Sequence, residues 1–379
     1  MHIVVAIDSF KGCLSSIEAG NAVQDAILKS DPSANVMVFP LADGGEGTVE
    51  ALSAGLGGSI ERVEVTGPLG EKLLSRYGYL PETGTAVIEM ADAAGLPLVP
   101  PEARNPLHTT TYGLGELILA ALDKGCRRFI IGIGGSATND CGLGMLTALG
   151  VRFLRADGSP AGVTGGDLAD VASIDLAGLS PAVREVTFSI ACDVTNPLCG
   201  KLGCSAVYGP QKGATPEIIA RMDGDIRRFA EIAERTTGNA AMESPGAGAA
   251  GGLGFAFCAF LDASLIPGSE LILSIIPGIR EALAKADLVI TGEGRMDEQS
   301  AMGKAPIGIA ALAKKLRPSC HTVALCGSIA DGAEAVNAAG LDAFFPILPA
   351  PMTLKAAMNP DETRKNLART ARQVLGLIT

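Results

Sequence analysis

Several features that mark other protein classes are scarce or missing in this chain of 379 residues. It has no tryptophan, and its three histidines (His2, His108 and His321) lie far apart in the sequence. No two cysteines have the Cys-x-x-Cys spacing, and no run of eighteen apolar residues occurs. The sequence therefore argues against a histidine- or cysteine-based metal centre and against a membrane-spanning helix.

Clusters of basic residues are also missing, and the formal net charge is −11. Nucleic acid and anionic membranes bind concentrated positive surfaces, so we expect neither as a partner. The nine cysteines are an odd number, and the first residues lack a signal-peptide pattern. Free thiols and a cytoplasmic location are the expectation. The motif Gly-x-x-x-x-Gly-Lys-[Ser/Thr] is absent too, which excludes a P-loop kinase.

Glycine, in contrast, is abundant. The chain has 48 glycines, nearly twice the usual share of about 7%. They gather in loops that also carry Ser, Asp, Asn and Lys. Because glycine lets backbone amides approach an anion without a Cβ in the way, these loops predict ligand-binding sites rather than flexible linkers.

Hydrophobic periodicity predicts alternating strands and helices at both ends of the chain. Strands are predicted at residues 3–7 and 36–41, and again at 286–291, 322–326 and 343–348. Mixed elements lie between them. This order predicts an α/β fold with two domains. Residues 1–62 plus 285–379 would form one parallel sheet from both chain ends, and residues 63–284 would form an inserted mixed α/β domain.

Ligands of open α/β sheets bind beyond the carboxyl ends of the strands, and polar loops follow the predicted strands here. The first loop contains Asp8, a candidate for binding Mg²⁺ or a hydroxyl, and Lys11, which could neutralise a phosphate or carboxylate. The second contains Asp43 among glycines, a setting that suits metal or polyol contacts.

The third loop, residues 132–140, has successive glycines before a predicted helix. Gly134 and Gly135 offer amides to an anion, and Ser136 and Asn139 add a hydroxyl and an amide. In the fourth loop, Asp193 ends an apolar strand and is a candidate general base for phosphoryl transfer. Lys212 follows in a turn where it could meet phosphate.

The fifth loop offers Arg295 to a carboxylate or phosphate, and Glu293 or Asp297 to Mg²⁺. Residues 246–251 match Gly-x-Gly-x-x-Gly but follow no predicted strand, so they fail as a nicotinamide fingerprint. Their amides could still hold phosphate. The glycines predicted to contact nucleotide are therefore Gly134, Gly135, Gly246, Gly248, Gly251 and Gly292.

Seven ordered blocks of sequence resemble the bacterial type-1 glycerate kinase family, and they span nearly the whole chain. They are Asp8-Ser-Phe-Lys-Gly12, Ala42-Asp-Gly-Gly-Glu-Gly-Thr48, Gly134-Gly-Ser-Ala-Thr-Asn-Asp140, Ala191-Cys-Asp-Val-Thr-Asn-Pro-Leu198, Gly209-Pro-Gln-Lys-Gly-Ala214, Pro245-Gly-Ala-Gly-Ala-Ala-Gly-Gly252 and Ile290-Thr-Gly-Glu-Gly-Arg295. The resemblance implies a flavodoxin-like domain with an inserted second domain. It also implies ATP and Mg²⁺, D-glycerate as acceptor, 2-phosphoglycerate as the usual product, and a place in glyoxylate, glucarate or serine-related carbon use.

The chemistry of the residues suggests how they would divide these tasks. Arg295 or Lys11 would hold the carboxylate of glycerate, and Asp193 would accept the proton of the attacking hydroxyl. The hydroxyls would be bound by Asp43, Ser136 and Asn139. Glycine amides and Lys212 would hold the ATP phosphates, and Glu293 or Asp297 would bind Mg²⁺.

Other classes stay open on the sequence alone. An ATP-dependent ligase, a kinase for another small hydroxy acid or a kinase that forms 3-phosphoglycerate would use similar phosphate loops. A sensor of organic acids would bind its ligand without turnover, although the several loop carboxylates favour a kinase. The oligomeric state is also open, with a homodimer as one option.

Overall fold

The computed structural model describes residues 1–378, in which thirteen strands form three sheets. The strands are β1 His2–Val5, β2 Asn35–Val38, β3 Ser59–Thr66, β4 Lys72–Leu80, β5 Thr85–Glu89, β6 Arg128–Gly132, β7 Arg152–Leu154, β8 Ser173–Asp175, β9 Thr187–Ala191, β10 Ser264–Ile266, β11 Leu288–Met296, β12 His321–Ile329 and β13 Ala343–Pro346.

The same residues form fifteen α-helices, joined by loops and short 3₁₀ turns. The helices are α1 Ser16–Ser30, α2 Thr48–Gly55, α3 Ala91–Ala94, α4 Tyr112–Asp123, α5 Leu143–Ala148, α6 Pro181–Arg184, α7 Cys204–Tyr208, α8 Pro216–Thr237, α9 Ala249–Leu261, α10 Gly268–Ile275, α11 Ile279–Lys285, α12 Ala305–Leu316, α13 Ala335–Ala338, α14 Leu354–Ala357 and α15 Pro360–Ile378. Within residues 1–378, none of these helices combines the length and the apolar character needed to cross a membrane.

The chain divides into two compact units. The first unit comprises Met1–Asp43, Glu50–Gly58 and Pro267–Thr379, and the second comprises Gly44–Val49 and Ser59–Ile266. The domain division predicted from the sequence, residues 1–62 plus 285–379 against 63–284, stays a prediction about which parts fold as independent domains.

The first unit contains a five-stranded parallel sheet in the order β2-β1-β11-β12-β13. Counted within the unit, this is the flavodoxin-like order 2-1-3-4-5. The predicted parallel sheet built from both chain ends is therefore confirmed. Parallel neighbours need crossover connections, which α1, α12 and α13 supply.

Helices cover both faces of this sheet, as alternation along β12 shows. Val323 and Leu325 belong to the hydrophobic cluster that includes residues of α1 and α15. Ala324 and Cys326 belong to a separate cluster that includes residues of α12 and α13. Because successive strand residues point to opposite faces, each face has its own core, as in doubly wound folds.

Ser15 followed three residues later by Glu18 is a capping-box pattern that predicts the start of a helix, and α1 begins there, at Ser16. The side chain of Ser15 accepts a hydrogen bond from the Glu18 amide (3.3 Å), and the Glu18 carboxylate accepts one from the Ser15 amide (3.0 Å). This capping box satisfies two amides at the start of the helix that have no helical partner. It fixes where the chain turns after the first polar loop.

Strand β11 extends further toward its carboxyl end than the sequence predicts. The fifth motif was predicted as a loop after a strand ending at residue 291, but β11 continues through Met296. Its parallel pairing with β12 continues as well, with Glu293 opposite Cys326 and Arg295 opposite Ser328. Glycine and charge weaken the strand pattern, and the neighbouring strand supplies the hydrogen bonds that extend it.

The second unit contains a six-stranded mixed sheet in the order β10-β9-β6-β5-β4-β3. Strands β5, β6, β9 and β10 are parallel to one another, whereas β3 and β4 run antiparallel to their neighbours. The predicted mixed α/β architecture is confirmed. At the carboxyl edge of the parallel part, Glu89, Gly132 and Ala191 stand in one row of the register.

The glycines of residues 245–254 predict a turn, but helix α9 begins within this segment, at Ala249. Leu253, Phe255 and Phe257 of this helix are completely buried. A helix that is apolar on every side gives no amphipathic period, so the pattern cannot be recognised. Near its start the chain passes through left-handed backbone at Ala250, Gly251 and Gly252.

Candidate active site

The parallel sheet of the first unit has its topological switch point between β1 and β11. From β1 the chain continues to β2 on one side, and from β11 it continues to β12 on the other. Sheets of this type bind ligands outside the carboxyl ends of the strands at such a point. The amide of Asp8 donates to the carbonyl of Gly292 (2.9 Å), which places the first and fifth motifs side by side.

Carboxylates gather at this point. Asp8 and Glu293 are 8% and 7% exposed, and Asp43 is half-buried. Burial raises the pKa of Asp8 from 3.8 to about 7, and the negative charges of Asp43 and Glu293 add to the increase. The Ser9 amide, which donates to Asp8 Oδ1 at 2.7 Å, and the charge of Lys11 oppose it.

The pKa of Glu293 is also raised. Burial raises its pKa, and the neighbouring charges of Asp297 and Asp43 act in the same direction. A hydrogen bond from Ser300 and the charge of Lys304 lower it. Within residues 1–378, the buried atom Glu293 Oε1 has no hydrogen-bond partner. The site thus has an excess of buried negative charge, which a cation would neutralise.

The other predicted metal ligand, Asp297, has several local partners. Its Oδ1 accepts a hydrogen bond from the Ser300 amide (3.2 Å) and caps the 3₁₀ turn Glu298–Met302. Lys304 Nζ lies 3.5 Å from the same oxygen, and Arg295 Nε lies 4.0 Å from Oδ2. Glu293 is therefore the better placed of the two, and the predicted metal role of Asp297 stays a prediction.

Arg295 is exposed and lines an open groove of about 620 Å³. The groove lies beyond the carboxyl ends of β11 and β12, and its other lining residues are Asp297, Glu298, Gln299, Ser328, Ile329, Ala330 and Asp331. Lys11 is also exposed, on the loop after β1. Both cations are accessible to an anionic ligand, as their predicted role requires.

In the second unit, the third motif forms a loop after β6. Gly134 and Gly135 are exposed, and a Cβ at Gly134 would meet nothing within 4 Å. Gly135 has a φ of +73°, which favours glycine. The loop is fixed to the segment before it, because the Leu96 amide donates to Gly135 O (2.8 Å) and the Ala137 amide donates to Ala94 O (2.9 Å).

The polar side chains of this loop are largely internal. Lys212 is 2% exposed, and its Nζ donates to Ser136 Oγ (2.7 Å) and Thr138 O (2.6 Å). The Asn139 amide nitrogen donates to Ser205 Oγ (2.9 Å). Ser136 and Lys212 are thus brought together as part of one network, whereas their predicted contacts with ligands stay predictions.

Two buried carboxylates that organise the second unit were not singled out from the sequence. Asp140 accepts hydrogen bonds from the Thr111 amide and hydroxyl (both 2.8 Å) and from the Gly142 and Gly144 amides. Glu89 accepts from the Gly47 and Val49 amides at 3.1 and 2.8 Å. The signal for Glu89 was an acidic residue ending an apolar strand, which is unusual at a buried position.

The fourth and sixth motifs also lie against one another. The Gly248 amide donates to Asn196 O (3.0 Å), and a Cβ at Gly246 would lie 3.1 Å from Val194 O. A Cβ at Gly251 would clash with Thr138 O. These contacts give the three glycines a packing role, and their predicted contact with phosphate stays a prediction. Asp193 is exposed just after β9.

No carboxylate cage for a metal exists in the described part of the chain. Among residues 1–378, no group of three or more His, Cys, Asp or Glu side chains is arranged to hold an ion. Magnesium sites that use substrate phosphates need only one or two carboxylates, because water and phosphate oxygens complete the coordination. The arrangement suits such a site.

The fold and these two groups of residues are those of an α/β protein with polar loops at the carboxyl ends of parallel strands, the place where proteins of this class bind small ligands. A family model described as the glycerate kinase family matches residues 3–379. The chain belongs to the glycerate kinase family, and a kinase family implies ATP and small-molecule substrates.

Several named proteins are similar to this chain over almost its whole length. A glycerate kinase of Halalkalibacterium halodurans is 47% identical, over 95% of this chain and 94% of that protein. The glycerate 2-kinase of Escherichia coli K12 is 44% identical, over 99% and 97% of the two chains. A crystal structure from Salmonella typhimurium LT2, described as a candidate glycerate kinase 2, has a TM-score of 0.91 and 45% identity, covering 100% of this chain and 98% of that one.

Proposed function

We propose that this chain transfers the γ-phosphoryl group of ATP to a hydroxyl of D-glycerate and forms 2-phospho-D-glycerate. The observation that carries the proposal is the similarity to the glycerate 2-kinase of Escherichia coli, which extends over 99% of this chain. The groups of residues described above support the proposal, because the reaction needs a loop for phosphates, accessible cations for a carboxylate, and carboxylates for a metal ion.

The loop after β6 binds the ATP phosphates in this proposal. Its exposed glycines, Gly134 and Gly135, let phosphate oxygens approach the backbone closely. Gly246, Gly248, Gly251 and Gly292 are further candidates from the sequence. Of these, Gly248 already donates its amide to Asn196 O, so its contribution to binding would be the shape of the backbone.

Glycerate is small and carries one carboxylate and two hydroxyls. Arg295 suits the carboxylate because its planar guanidinium donates two parallel hydrogen bonds, and Lys11 is the alternative. The candidates for binding the hydroxyls, taken from the sequence, are Asp8, Asp43, Ser136 and Asn139. A fixed carboxylate orients the acceptor, and orientation contributes much of the rate of phosphoryl transfer.

Mg²⁺ fits the carboxylates of the first unit. Glu293 has a buried oxygen without a partner in residues 1–378, and its negative charge helps to raise the pKa of Asp8. Glu293 would hold the ion, and Asp297 is the alternative ligand predicted from the sequence. When bound, Mg²⁺ neutralises charge on the transferred phosphoryl group.

Asp193 is proposed as the general base, and Lys11 as a cation that stabilises the charge developing during transfer. Asp193 is exposed at the end of an apolar strand, so a substrate hydroxyl can reach it. Little covalent chemistry is asked of the protein, because alignment and neutralisation of charge dominate this reaction. A cytoplasmic location completes the proposal.

The test is ³¹P NMR of a reaction containing the protein, MgATP and D-glycerate. A 2-phosphoglycerate resonance is expected, and it should disappear when EDTA removes the metal. A 3-phosphoglycerate resonance would agree with the proposed kinase activity but would show that the proposed product is wrong. If ATP stays intact with D-glycerate but is consumed with another hydroxy acid, that acid is the acceptor instead. If ATP stays intact with every acid, the proposed kinase activity is wrong.

A further inference from the structure

Lys212 occupies an unusual position for a lysine in a predicted phosphate site. Lys212 is only 2% exposed, although it is the last residue of a turn at the surface, Pro210–Lys212. The next residue, Gly213, has a φ of +89°, and a Cβ there would clash with Arg104 O. The turn is thus held against the protein, which directs Lys212 inward.

Among residues 1–378, the ammonium group forms hydrogen bonds with one segment only. Its Nζ donates to Ser136 Oγ and to Thr138 O, and both acceptors belong to the glycine-rich loop after β6. Gly134 and Gly135 of this loop are exposed, whereas Ser136 and Thr138 are buried. Lys212 therefore supports the loop from its buried side, opposite the surface that is open to a ligand.

The charge of Lys212 is not neutralised by a neighbouring carboxylate. Within residues 1–378, no carboxylate forms an ion pair with it, and the titratable groups that act on it are Cys204 and Asp140. The Asp140 carboxylate is already hydrogen-bonded to Thr111 and to the Gly142 and Gly144 amides. A buried, unpaired cation is costly unless a negative charge approaches it.

We propose that Lys212 is a positioning residue that holds the glycine-rich loop from behind and places a positive charge under it, so that binding of a nucleotide polyphosphate and protonation of Lys212 favour each other. The inference rests on the proposed use of this loop for ATP phosphates. It differs from the prediction made from the sequence, because Lys212 acts through the loop and does not contact the phosphates.

The coupling has a definite sign. Burial lowers the pKa of Lys212 from 10.5 to about 8 in the free protein. An anion bound on the loop would raise it again, because a nearby negative charge favours the ammonium form. Affinity is then highest below pH 8 and falls as the pH rises, since binding must be accompanied by uptake of a proton. For a pKa of about 8 in the free protein and the ordinary value of 10.5 in the complex, the loss of affinity between pH 7 and pH 9 is about tenfold.

The experiment is calorimetric titration of the full chain with ADP at pH 7 and pH 9, for the wild type and Lys212→Met. Methionine keeps the length of the side chain and removes its charge. Lys201→Met, at an exposed lysine of the same unit, is the control and should behave as the wild type. Protonation of ADP itself changes the affinity of all three proteins equally, so it does not affect the comparison between them.

We expect the wild-type affinity to fall about tenfold more than that of Lys212→Met over this pH interval. An equal fall in both proteins would overturn the inference while leaving nucleotide binding in place. No binding of ADP to the wild type at pH 7 would overturn both the inference and the phosphate site on which it rests.

Proton uptake provides a second measurement that needs no variant. Titrations at pH 8.5 in buffers of different ionisation enthalpy count the protons taken up when ADP binds. The wild type should take up about 0.7 proton per ADP, because most Lys212 is neutral before binding and charged afterwards. Binding without uptake of protons would overturn the coupling even where Lys212→Met fails to fold.

Discussion

Replacing Asp8 by asparagine tests whether the buried carboxylates at the switch point destabilise the free protein. The pKa of Asp8 is about 7 in the folded chain and 3.8 for an unperturbed aspartate. The folded state therefore binds this proton more tightly than the unfolded state. The contribution of Asp8 to the free energy of unfolding is greatest below about pH 4, and it falls as the pH rises through the window up to about 7.

The magnitude follows from the same values. Each pKa unit is worth about 1.36 kcal/mol, so the complete difference corresponds to roughly 4 kcal/mol. Between pH 5 and pH 8 the wild type should lose roughly 2–3 kcal/mol through Asp8 alone. The substituted asparagine would not titrate, and its oxygen could still accept the hydrogen bond that the Ser9 amide donates to Oδ1 of Asp8. Asp8→Asn should thus be more stable than the wild type at pH 8, although less active.

Urea unfolding at pH 5 and pH 8, with EDTA and without substrates, measures this difference. The control is Asp31→Asn, because hydrogen bonds from Ser33 lower the pKa of this carboxylate and keep its titration below the interval. It should show the pH dependence of the wild type. The reasoning is refuted if Asp8→Asn shows that same dependence, or if it is less stable than the wild type at pH 8.

Four further substitutions, one of them a control, test other parts of the reasoning. Asp193→Asn should lower kcat by about 10²–10⁴ with an unchanged circular dichroism spectrum, and near-normal turnover would remove Asp193 as the base. Gly251→Ala should destabilise the chain by more than about 1 kcal/mol, since Gly251 has a φ of +69° and its new Cβ would meet Thr138 O. Gly224→Ala, in an open position of α8, should instead stabilise it by about 0.4–1 kcal/mol, and equal effects in denaturant titrations would contradict the packing argument. Arg295→Ala should raise KM for glycerate about tenfold or more with little change in KM for ATP, whereas equal rises would argue against a carboxylate contact.

The parts of the fold that could be predicted are those whose signal is local. Helix α1 has a capping box and one buried face, and β1 is a short apolar run, so both were predicted near their observed positions. The end of β11 and the whole of α9 could not be predicted. The end of β11 depends on pairing with β12, and α9 is buried on every side. Neither segment therefore shows the hydrophobic periodicity by which a strand or helix is recognised in a sequence.

The residues of the candidate site could likewise be predicted only where the signal is local. The rule that ligands bind beyond parallel strands singled out Asp8 and Glu293, which the fold brings together at the switch point. It could not show that Lys212 is internal, because the direction of that side chain depends on contacts of the loop after β6 and of Gly213. Nor could it separate glycines that face a ligand from glycines that pack against backbone.

Two buried carboxylates show why burial alone does not identify a functional residue. Asp140 is 0% exposed, and four hydrogen bonds from Thr111, Gly142 and Gly144 use its oxygens. Glu293 is 7% exposed, and among the described residues its Oε1 has no partner. A buried polar atom without a partner costs about 1–3 kcal/mol, and folded proteins contain few of them. The carboxylate that satisfies its oxygens within the chain stabilises a loop and a helix. The one that leaves an oxygen unsatisfied at a topological switch point is the one suited to a cation, which is why Glu293 rather than Asp140 is proposed for the metal.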